Sequence, residues 1–249
     1  EQDYEQSYSY DIIGNILNKS DIGNYLYEYT NPYQASRVHQ ADYAYDLNGN
    51  LTNDGVKTYH YNWADRLASV DISVNNVLSN LYDHSGARTL KQLTSTKLNQ
   101  DPEAGEIIAI AKTAYPNSLY EEETSGLEDQ EQNWPTIKTR HITLGNQTIA
   151  HFTVNPQGNV EQALVFGDHL GSASLLTDTF GRPKVLYDYY PFGGSRMEQN
   201  IGGMGIAMTN QRYTGQKLDA EIGLYNYGAR DYNANVGQFT QQDPVSFKI

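Results

Sequence analysis

The chain has 249 residues, enough for one or two domains with a hydrophobic core. Its net charge of −13 disfavours nucleic acid and anionic lipid as partners, because both are bound by basic surfaces. Cysteine is absent, which excludes disulfides, thiolate catalysis and a cysteine-based metal site. No apolar run reaches the length of a membrane-spanning helix, and the first residues lack the pattern of a signal peptide. We therefore expect either a piece of a longer protein or export by a route that reads no such signal.

The composition predicts an all-β fold. The 21 Tyr, 6 Phe and 2 Trp can bury large areas, and Tyr is also a favourable strand residue. The 21 Gly, with many Asn and Asp, supply the residues that tight turns require. We expect many short strands joined by turns, with under about a tenth of the residues helical.

A repeated unit organises the first part of the chain. It reads Tyr-x-Tyr in four copies and Asn-Leu-Tyr in the fifth, followed by Asp or Asn and in most copies by a Gly three residues after that. Its last tyrosine recurs at steps of 19, 16, 16 and 21 residues: Tyr10, Tyr29, Tyr45, Tyr61 and Tyr82. Tyr-x-Tyr places two rings on one face of a strand, and Asp-x-x-Gly favours a turn with a positive φ. One hairpin cannot bury its own face, so the units should stack. The prediction is a scaffold of hairpins in which Tyr10, Tyr29, Tyr45 and Tyr61 stack on one face.

The middle of the chain breaks this rhythm. Residues 121–132 are strongly acidic and nearly free of apolar side chains, which predicts an exposed loop tip. Calcium binding is disfavoured because the alternating ligand spacing of a calcium loop is missing. The expected organisation is a repeat region over 1–94, an irregular segment with the acidic loop over 95–140, and a closing region over 141–249.

Two features of the closing region resemble sites but favour structural roles. Asp168 and His169 have no second His or Cys at ligand spacing, so a turn in which both bond to backbone is favoured over a metal or catalytic site. The glycine-rich segment Ser195–Thr209 lacks the strand-to-helix context of a phosphate loop and is predicted to be a flexible loop. Neither a cofactor nor a metal is expected.

Several motifs follow in a fixed order in the last eighty residues. They are Gly-Asp-His-Leu-Gly-Ser at 167–172, Tyr-Asp-Tyr-Tyr-Pro-Phe-Gly at 187–193, Arg-Tyr-Thr-Gly-Gln at 212–216, Gly-Leu-Tyr with Arg-Asp-Tyr within 219–232, Gly-Gln-Phe at 237–239 and Asp-Pro at 243–244. With the tyrosine repeats, this series resembles the RHS/YD-repeat proteins, specifically their C-terminal RHS-repeat-associated core, as in toxin-complex C components and polymorphic toxins. The resemblance covers the chain except residues 95–135. It implies a ribbon of stacked YD-repeat hairpins forming part of a curled, hollow shell.

The resemblance also implies a function. The expected protein is bacterial, secreted or at the cell surface, and encloses a C-terminal toxin that it releases by aspartyl self-cleavage. Its implied partners are its own N-terminal shell, the toxin cargo and other components of a toxin or secretion complex. The family's cleavage residues correspond here to Arg230, Asp231 and Asp243, with the cut between Phe247 and Lys248.

Two carboxylates held close share a proton, so one can activate water while the other donates to the scissile group. Arg230 would hold the ionised partner. We expect a strand over Leu224–Tyr232, a turn at 233–237 and a return toward Asp243. This hairpin would bring Asp231 and Asp243 within about 3–5 Å. Arg230 would then point to the opposite face and need a bulge to join them.

The chain departs from the family pattern next to the implied cut. Ser246 and Phe247 stand where the family has Gly and Leu, and Gln238 stands where it prefers Arg. Two alternatives therefore stay open. One is a purely structural shell segment without cleavage, and the other is a cell-surface or carbohydrate-binding module that uses exposed rings such as Trp63 and Trp134.

Overall fold

The computed structural model describes residues 5–98, 106–128, 134–201 and 209–243. Within these ranges the fold is antiparallel β, and helical structure is confined to short 3-10 turns such as Tyr213–Gly215. The all-β prediction is confirmed.

The described strands form three sheets. The first has five strands, β1 to β5: Tyr8–Tyr10, Ile16–Lys19, Gly23–Leu26, Arg37–Val38 and Ala41–Asp42. The second, here the long sheet, has fourteen strands, β6 to β19: Ala44–Tyr45, Leu51–Asn53, Thr58–Tyr61, Leu67–Ser73, Asn76–Tyr82, Arg88–Leu98, Glu106–Asn117, Tyr120–Leu127, Thr136–Leu144, Gln147–Val154, Val160–Gly167, Ala173–Thr177, Pro183–Tyr189 and Ser195–Asn200. The third, here the terminal sheet, has four strands, β20 to β23: Lys217–Asp219, Leu224–Asn226, Asp231–Asn233 and Gln238–Phe239.

Strands lie in the sheets in the order in which they occur in the chain. Each pairs antiparallel with its neighbours in sequence, and within the long sheet β6 and β19 each have one partner. Most of the connections are short, and short connections can join only antiparallel strands. The predicted ribbon of hairpins is therefore confirmed.

One type of tight turn recurs seven times in the described chain. Its first residue is Asp or Asn, whose Oδ1 accepts the backbone N–H groups two and four residues on at 2.8–3.1 Å: Asp11, Asp46, Asn62, Asp83, Asn155, Asp168 and Asp178. The residue three positions on has a positive φ, and in six turns it is Gly. In the seventh it is Asp65, with φ of 55°. The predicted Asx turns are thus confirmed, and in the turn at Asp168 the described side-chain bonds to backbone are those of Asp168 and not of His169.

Asp65 replaces glycine because its side chain ties two turns together. Its Oδ1 accepts the amide Nδ2 of Asn48 at 2.9 Å and of Asn50 at 2.8 Å, both from the turn before it. Left-handed backbone costs a non-glycine residue roughly 1–2 kcal/mol, and Asp is among the residues that tolerate it best. The two hydrogen bonds offset this cost and link successive units of the ribbon.

The main core lies between the terminal sheet and the first strands of the chain. It contains Tyr25 and Tyr59, which are 2% and 1% exposed, together with Leu67, Leu224 and Val236. The Tyr25 hydroxyl donates to the Val236 carbonyl at 3.0 Å, so burial leaves it satisfied. Burial of whole rings with bonded hydroxyls explains how a polar sequence still forms a core.

The predicted tyrosine ladder is wrong in detail. Tyr10 and Tyr29 are 49% and 44% exposed, and of the four named rings only Tyr29 and Tyr45 form a described ring pair, edge-on at 5.7 Å. The first tyrosine of a unit is the deeper one, as at Tyr43 and Tyr59. Both rings share a face, but the second lies beside the turn, where the strand leaves the core.

The predicted acidic loop is also wrong where the structure describes it. Residues Tyr120–Leu127 form β13, and Glu121 is only 3% exposed. Burial alone would raise the pKa of Glu121, but hydrogen bonds and charge from His141 and Lys217 lower it to about 2. The sequence could not reveal Lys217 as a partner 96 residues away. Long strands thus run through segment 95–140, while residues 129–133 lie outside the described ranges.

The prediction of a flexible loop over Ser195–Thr209 is also wrong where the structure describes this segment. Residues Ser195–Asn200 form β19 at the end of the long sheet, and residues 202–208 lie outside the described ranges. All six side chains of β19 are exposed, which explains why the sequence carries no alternating apolar signal there.

The carboxylates of the turns should make the fold sensitive to acid. Hydrogen bonds from Ser85 and Ala87 lower the pKa of Asp83, and at Asp11 and Asp178 the turn bonds lower the pKa against an opposing effect of desolvation. A carboxylate with a lowered pKa stabilises the fold above its ordinary pKa near about 4, and this is lost as pH falls through the folded-state value.

Asparagine builds the same turn at Asn62 and Asn155 without a titrating group. We therefore expect the variant Asp11→Asn/Asp83→Asn/Asp178→Asn to lose less stability than the unsubstituted chain between about pH 5 and pH 2. Urea unfolding midpoints at several pH values measure this, and equal acid sensitivity of the two proteins would contradict it.

The burial difference between tyrosines gives a second prediction. Tyr59→Ala should lower the free energy of unfolding by roughly 3–5 kcal/mol, because it empties a buried ring site. It also removes the donor to Asp54 Oδ2, at 2.6 Å. Tyr10→Ala is the matched control and should cost under about 1 kcal/mol. Urea unfolding of both variants tests this, and equal losses would contradict the assigned burial.

Candidate functional site

The segment that carries Arg230 and Asp231 is a hairpin rather than one strand. The predicted strand Leu224–Tyr232 is interrupted after Asn226, and the chain turns before β22 starts at Asp231. Tyr227 N–H donates to the Arg230 carbonyl at 2.9 Å, and Gly228 has a φ of 79°. Gly228 is the sequence signal for this turn, and the alternating tyrosines around it conceal the break.

Asp231 is buried at the start of β22, with 3% of its surface exposed. Its Oδ2 accepts the Gln241 amide at 3.0 Å and its Oδ1 accepts the Asn226 amide at 3.2 Å. Burial raises the pKa of Asp231, and the hydrogen bond from Gln241 opposes this without cancelling it. A carboxyl in this state holds its proton more readily than an ordinary aspartate.

Asp243 forms an ion pair with the residue before Asp231. Its Oδ2 lies 3.0 Å from Arg230 Nη2, and the two side chains are 40% and 26% exposed. The Arg230 guanidinium also lies 3.9 Å from the centre of the Phe239 ring. The pair is therefore a partly solvated charge pair beside an aromatic wall.

The predicted strand register of the two aspartates is corrected by these contacts. Thr240 N–H donates to the Asp231 carbonyl at 2.8 Å, so Asp231 lies opposite Thr240 and Asp243 follows the strand pair by three residues. Arg230 reaches Asp243 without a bulge, because it ends a turn instead of lying inside a strand. Phe247 and Lys248, the predicted cleavage residues, lie outside the described ranges.

A cleft of about 500 Å³ opens beside the Arg230–Asp243 pair. Its walls are aromatic and amide side chains from the first sheet, the β6–β7 turn and the terminal sheet, among them Tyr10, Tyr33, Tyr45, Phe192, Phe239, Gln238, Gln241 and Gln242. Such a lining suits an extended peptide, since rings contact its side chains and amides bond its backbone.

Contacts from the long sheet hold this site in place. Arg88 makes two hydrogen bonds to the Asp219 carboxylate, at 2.5 and 3.1 Å, and both side chains are buried. Arg66 Nη1 donates to the Gly228 carbonyl at 2.6 Å, in the turn before Arg230. Leu51 N–H donates to the Thr240 carbonyl at 2.8 Å. The hairpin of Asp231 is thus fixed from both sides.

Sequence reasoning missed Arg88 and Asp219. Each follows a glycine-containing motif and reads as one more polar residue of the repeat. The two residues are 131 positions apart, and the sequence between them carries no signal that the two side chains meet.

The described residues contain neither a cluster of metal ligands nor a helix that could span a membrane. No cluster of three or more His, Asp or Glu side chains among them is arranged to hold a metal ion. No helix in the same ranges has the length and apolar character to cross a membrane.

No family model matches the chain. Among relatives by sequence, salivary gland surface protein 1 of Aedes aegypti is 32% identical over 172 residues, which is 66% of this chain and 4% of that protein. The tRNA nuclease WapA of Bacillus subtilis is 24% identical over 213 residues, 85% of this chain and 8% of that one. The chain therefore spans less than a tenth of these relatives.

Solved structures of Tc toxins resemble the chain over nearly its full length. A chain of the Photorhabdus luminescens Tc holotoxin pore matches with a TM-score of 0.73 at 18% identity, covering 96% of this chain and 12% of that one. The TcdB2–TccC3 complex matches with a TM-score of 0.66 at 18% identity, covering 96% and 14%. This chain has the fold of those Tc toxin components. At this identity the likeness concerns the fold.

The buried pair between the sheets gives a third prediction. Arg88→Ala should lower the free energy of unfolding by roughly 3–5 kcal/mol, because Asp219 would stay buried without its main partner. Replacing both residues, as Arg88→Met/Asp219→Leu, should restore most of the loss. Arg37→Ala, which breaks the exposed Arg37–Asp42 pair, is the control and should have far less effect. Urea unfolding measures all three, and a double variant as unstable as Arg88→Ala would contradict the prediction.

Proposed function

We propose that the chain is a shell segment of an RHS-type toxin carrier that encloses a C-terminal toxin and frees it by aspartyl self-cleavage between Phe247 and Lys248. The observation that carries the proposal is the placement of two unlike carboxyls on one short hairpin. Asp231 is buried with a raised pKa, while Asp243 pairs with the adjacent Arg230 at the cleft. The fold of Tc toxin components and the similarity to WapA nucleases support the toxin-carrier part.

The environments assign the two roles. In this proposal Asp243 acts as the base, since it is partly exposed to water and forms an ion pair with Arg230 at the cleft. Asp231 is desolvated, which favours its protonated form, so it acts as the acid. One protonated carboxyl and one carboxylate would together provide the acid and the base that the hydrolysis needs.

The reaction is a hydrolysis within one chain. Asp243 takes a proton from water, the water oxygen bonds to the Phe247 carbonyl carbon, and Asp231 gives its proton to the carbonyl oxygen. The resulting diol then collapses, the C–N bond breaks, and the proton held by Asp243 passes to the leaving Lys248 nitrogen. Asp231 regains its proton from the diol. The cost of bringing the substrate to the site is small because the bond lies on the same chain.

The proposed location is outside the producing bacterial cell, with the shell's own N-terminal part, the cargo and other toxin-complex components as partners. The acidic surface, at a net charge of −13, does not suit binding to nucleic acid. A sheet of sequential hairpins suits a wall, since each added hairpin extends it by two strands.

A purely structural shell segment is the second candidate. It is favoured by the full engagement of Asp231, whose two carboxylate oxygens both accept amide hydrogen bonds in a buried position. A carbohydrate-binding module is favoured less. Trp63 is 97% exposed, but Trp134 donates to the Leu127 carbonyl at 2.8 Å and has Lys112 over its ring.

Self-cleavage is tested on the longer parent chain. The parent should be cut after Phe247, whereas Asp231→Asn and Asp243→Asn should each leave it whole and folded. Asp178→Asn, at an exposed turn, is the matched control and should be cut normally. Intact mass spectrometry locates the cut, and circular dichroism checks the fold. An uncut unsubstituted parent favours the structural candidate, and complete cutting of both Asn variants excludes the aspartyl mechanism.

A further inference from the structure

The Gln241 side chain forms two hydrogen bonds with Asp231. Its Oε1 accepts the backbone N–H of Asp231 at 2.8 Å, and its Nε2 donates to Oδ2 of the same residue at 3.0 Å. The Thr240 hydroxyl also donates to Gln241 Oε1, at 2.8 Å. With 5% of its surface exposed, Gln241 makes these bonds away from competing water. The planar Gln241 amide therefore forms a hydrogen-bonded ring with the backbone N–H and the carboxyl of Asp231.

A second contact next to this ring of hydrogen bonds holds the same segment of the chain. Arg230 and Asp231 are neighbours, and they hold Asp243 and Gln241 respectively. The two contacts thus bind alternate residues of the segment that leads toward the proposed cut. Two fixed points on three residues set the register of that segment, and a one-residue slip would break both.

We infer that Gln241 is a positioning residue for the proposed self-cleavage, which orients the Asp231 carboxyl and fixes the register of residues 241–243 against the Arg230–Asp231 pair. The inference rests on the proposed function. Because Nε2 donates to Oδ2 while Oε1 accepts the backbone N–H of the same residue, the amide fixes the direction in which the Asp231 carboxyl points. The Asn226 amide donates to the other oxygen, Oδ1, at 3.2 Å and supports the same orientation.

Only a side-chain amide of this length serves both contacts. The ring needs a donor and an acceptor in one plane, which among side chains are always present together in Asn and Gln. Asn is shorter by one methylene, and Met has the length of Gln but cannot donate. The bond from Nε2 also favours the ionised form of Asp231 and so moderates the raised pKa. Loss of the amide should therefore change both the rate and its pH dependence.

The test uses the longer parent, purified uncut in denaturant and refolded into buffers across about pH 4 to 9. Gln241→Met should slow cleavage by about 10- to 100-fold, because the carboxyl and the segment lose their alignment. It should also move the alkaline limb of the pH–rate profile to higher pH, because Asp231 then keeps its proton longer. Gln216→Met is the control, since that amide donates only a 3.4 Å bond to the Thr214 carbonyl among its described contacts.

The shift of the alkaline limb of the pH–rate profile distinguishes a positioning role of Gln241 from a contribution to the stability of the fold. A slower reaction with an unmoved limb, or an unchanged rate, would overturn the inference while Asp231→Asn still blocks cleavage and the proposed function stands. Cleavage that continues in Asp231→Asn would overturn both.

If Gln241→Met does not fold, Gln241→Glu answers the same question. Its carboxyl has the shape of the amide but donates only when protonated. Cleavage close to that of the unsubstituted parent at acidic pH, with a loss of at least about tenfold as the new carboxyl ionises, supports the inference. A pH profile that parallels the unsubstituted parent overturns it.

Discussion

The buried pair of Arg88 and Asp219 is the interaction on which the described architecture depends. It joins the long sheet to the terminal sheet through two hydrogen bonds in a place that water does not reach. Lys91 adds a second cation, 3.3 Å from Asp219 and 2.9 Å from Glu221. Buried charges of this kind contribute more to a unique arrangement than to net stability, because a displaced partner leaves an uncompensated charge. The terminal sheet can thus dock in one position only.

That fixed position creates the environment of Asp231. The terminal sheet alone would present Asp231 on a small, partly solvated hairpin. Contacts from Leu51 and Arg66 close its two sides. Burial raises the pKa of Tyr61 and Tyr82, and the nearby Asp231 adds a smaller effect in the same direction. The raised pKa of Asp231 is therefore a property of the docked assembly, since desolvation is its largest cause.

The sequence predicted those features of the fold that depend only on residues close together in the chain. Asx turns such as that at Asp46 need only an Asp and, three positions later, a residue with positive φ, so the pattern predicts both their existence and their place. The depth of Tyr59 relative to Tyr10 depends on the terminal sheet above them, which no pattern within one unit contains. The prediction that Glu121 is exposed is wrong for the same reason, because its partner Lys217 comes from a distant segment.

At the candidate site, the sequence did not predict the turn before Asp231, and the roles of its residues in cleavage remain a prediction. Arg230 precedes Asp231 in the chain and forms an ion pair with Asp243 at 3.0 Å. The partners differ, because Gly228 starts a turn that shortens the strand and moves Arg230 to its end. The two-point grip of Gln241 has no sequence signature, since a glutamine before an aspartate is common on any polar surface.

The sequential strand order has a consequence for timing. Each strand of the ribbon pairs with one that has just preceded it, so the sheets can grow from the N-terminal end while the chain is still being synthesised. Closing the terminal sheet onto the ribbon has to wait, because Asp219 emerges 131 residues after Arg88. In a self-cleaving carrier, the bond to the cargo would therefore stay intact during assembly of the wall. Hydrolysis of that bond would then occur only in molecules in which the terminal sheet has docked onto the ribbon.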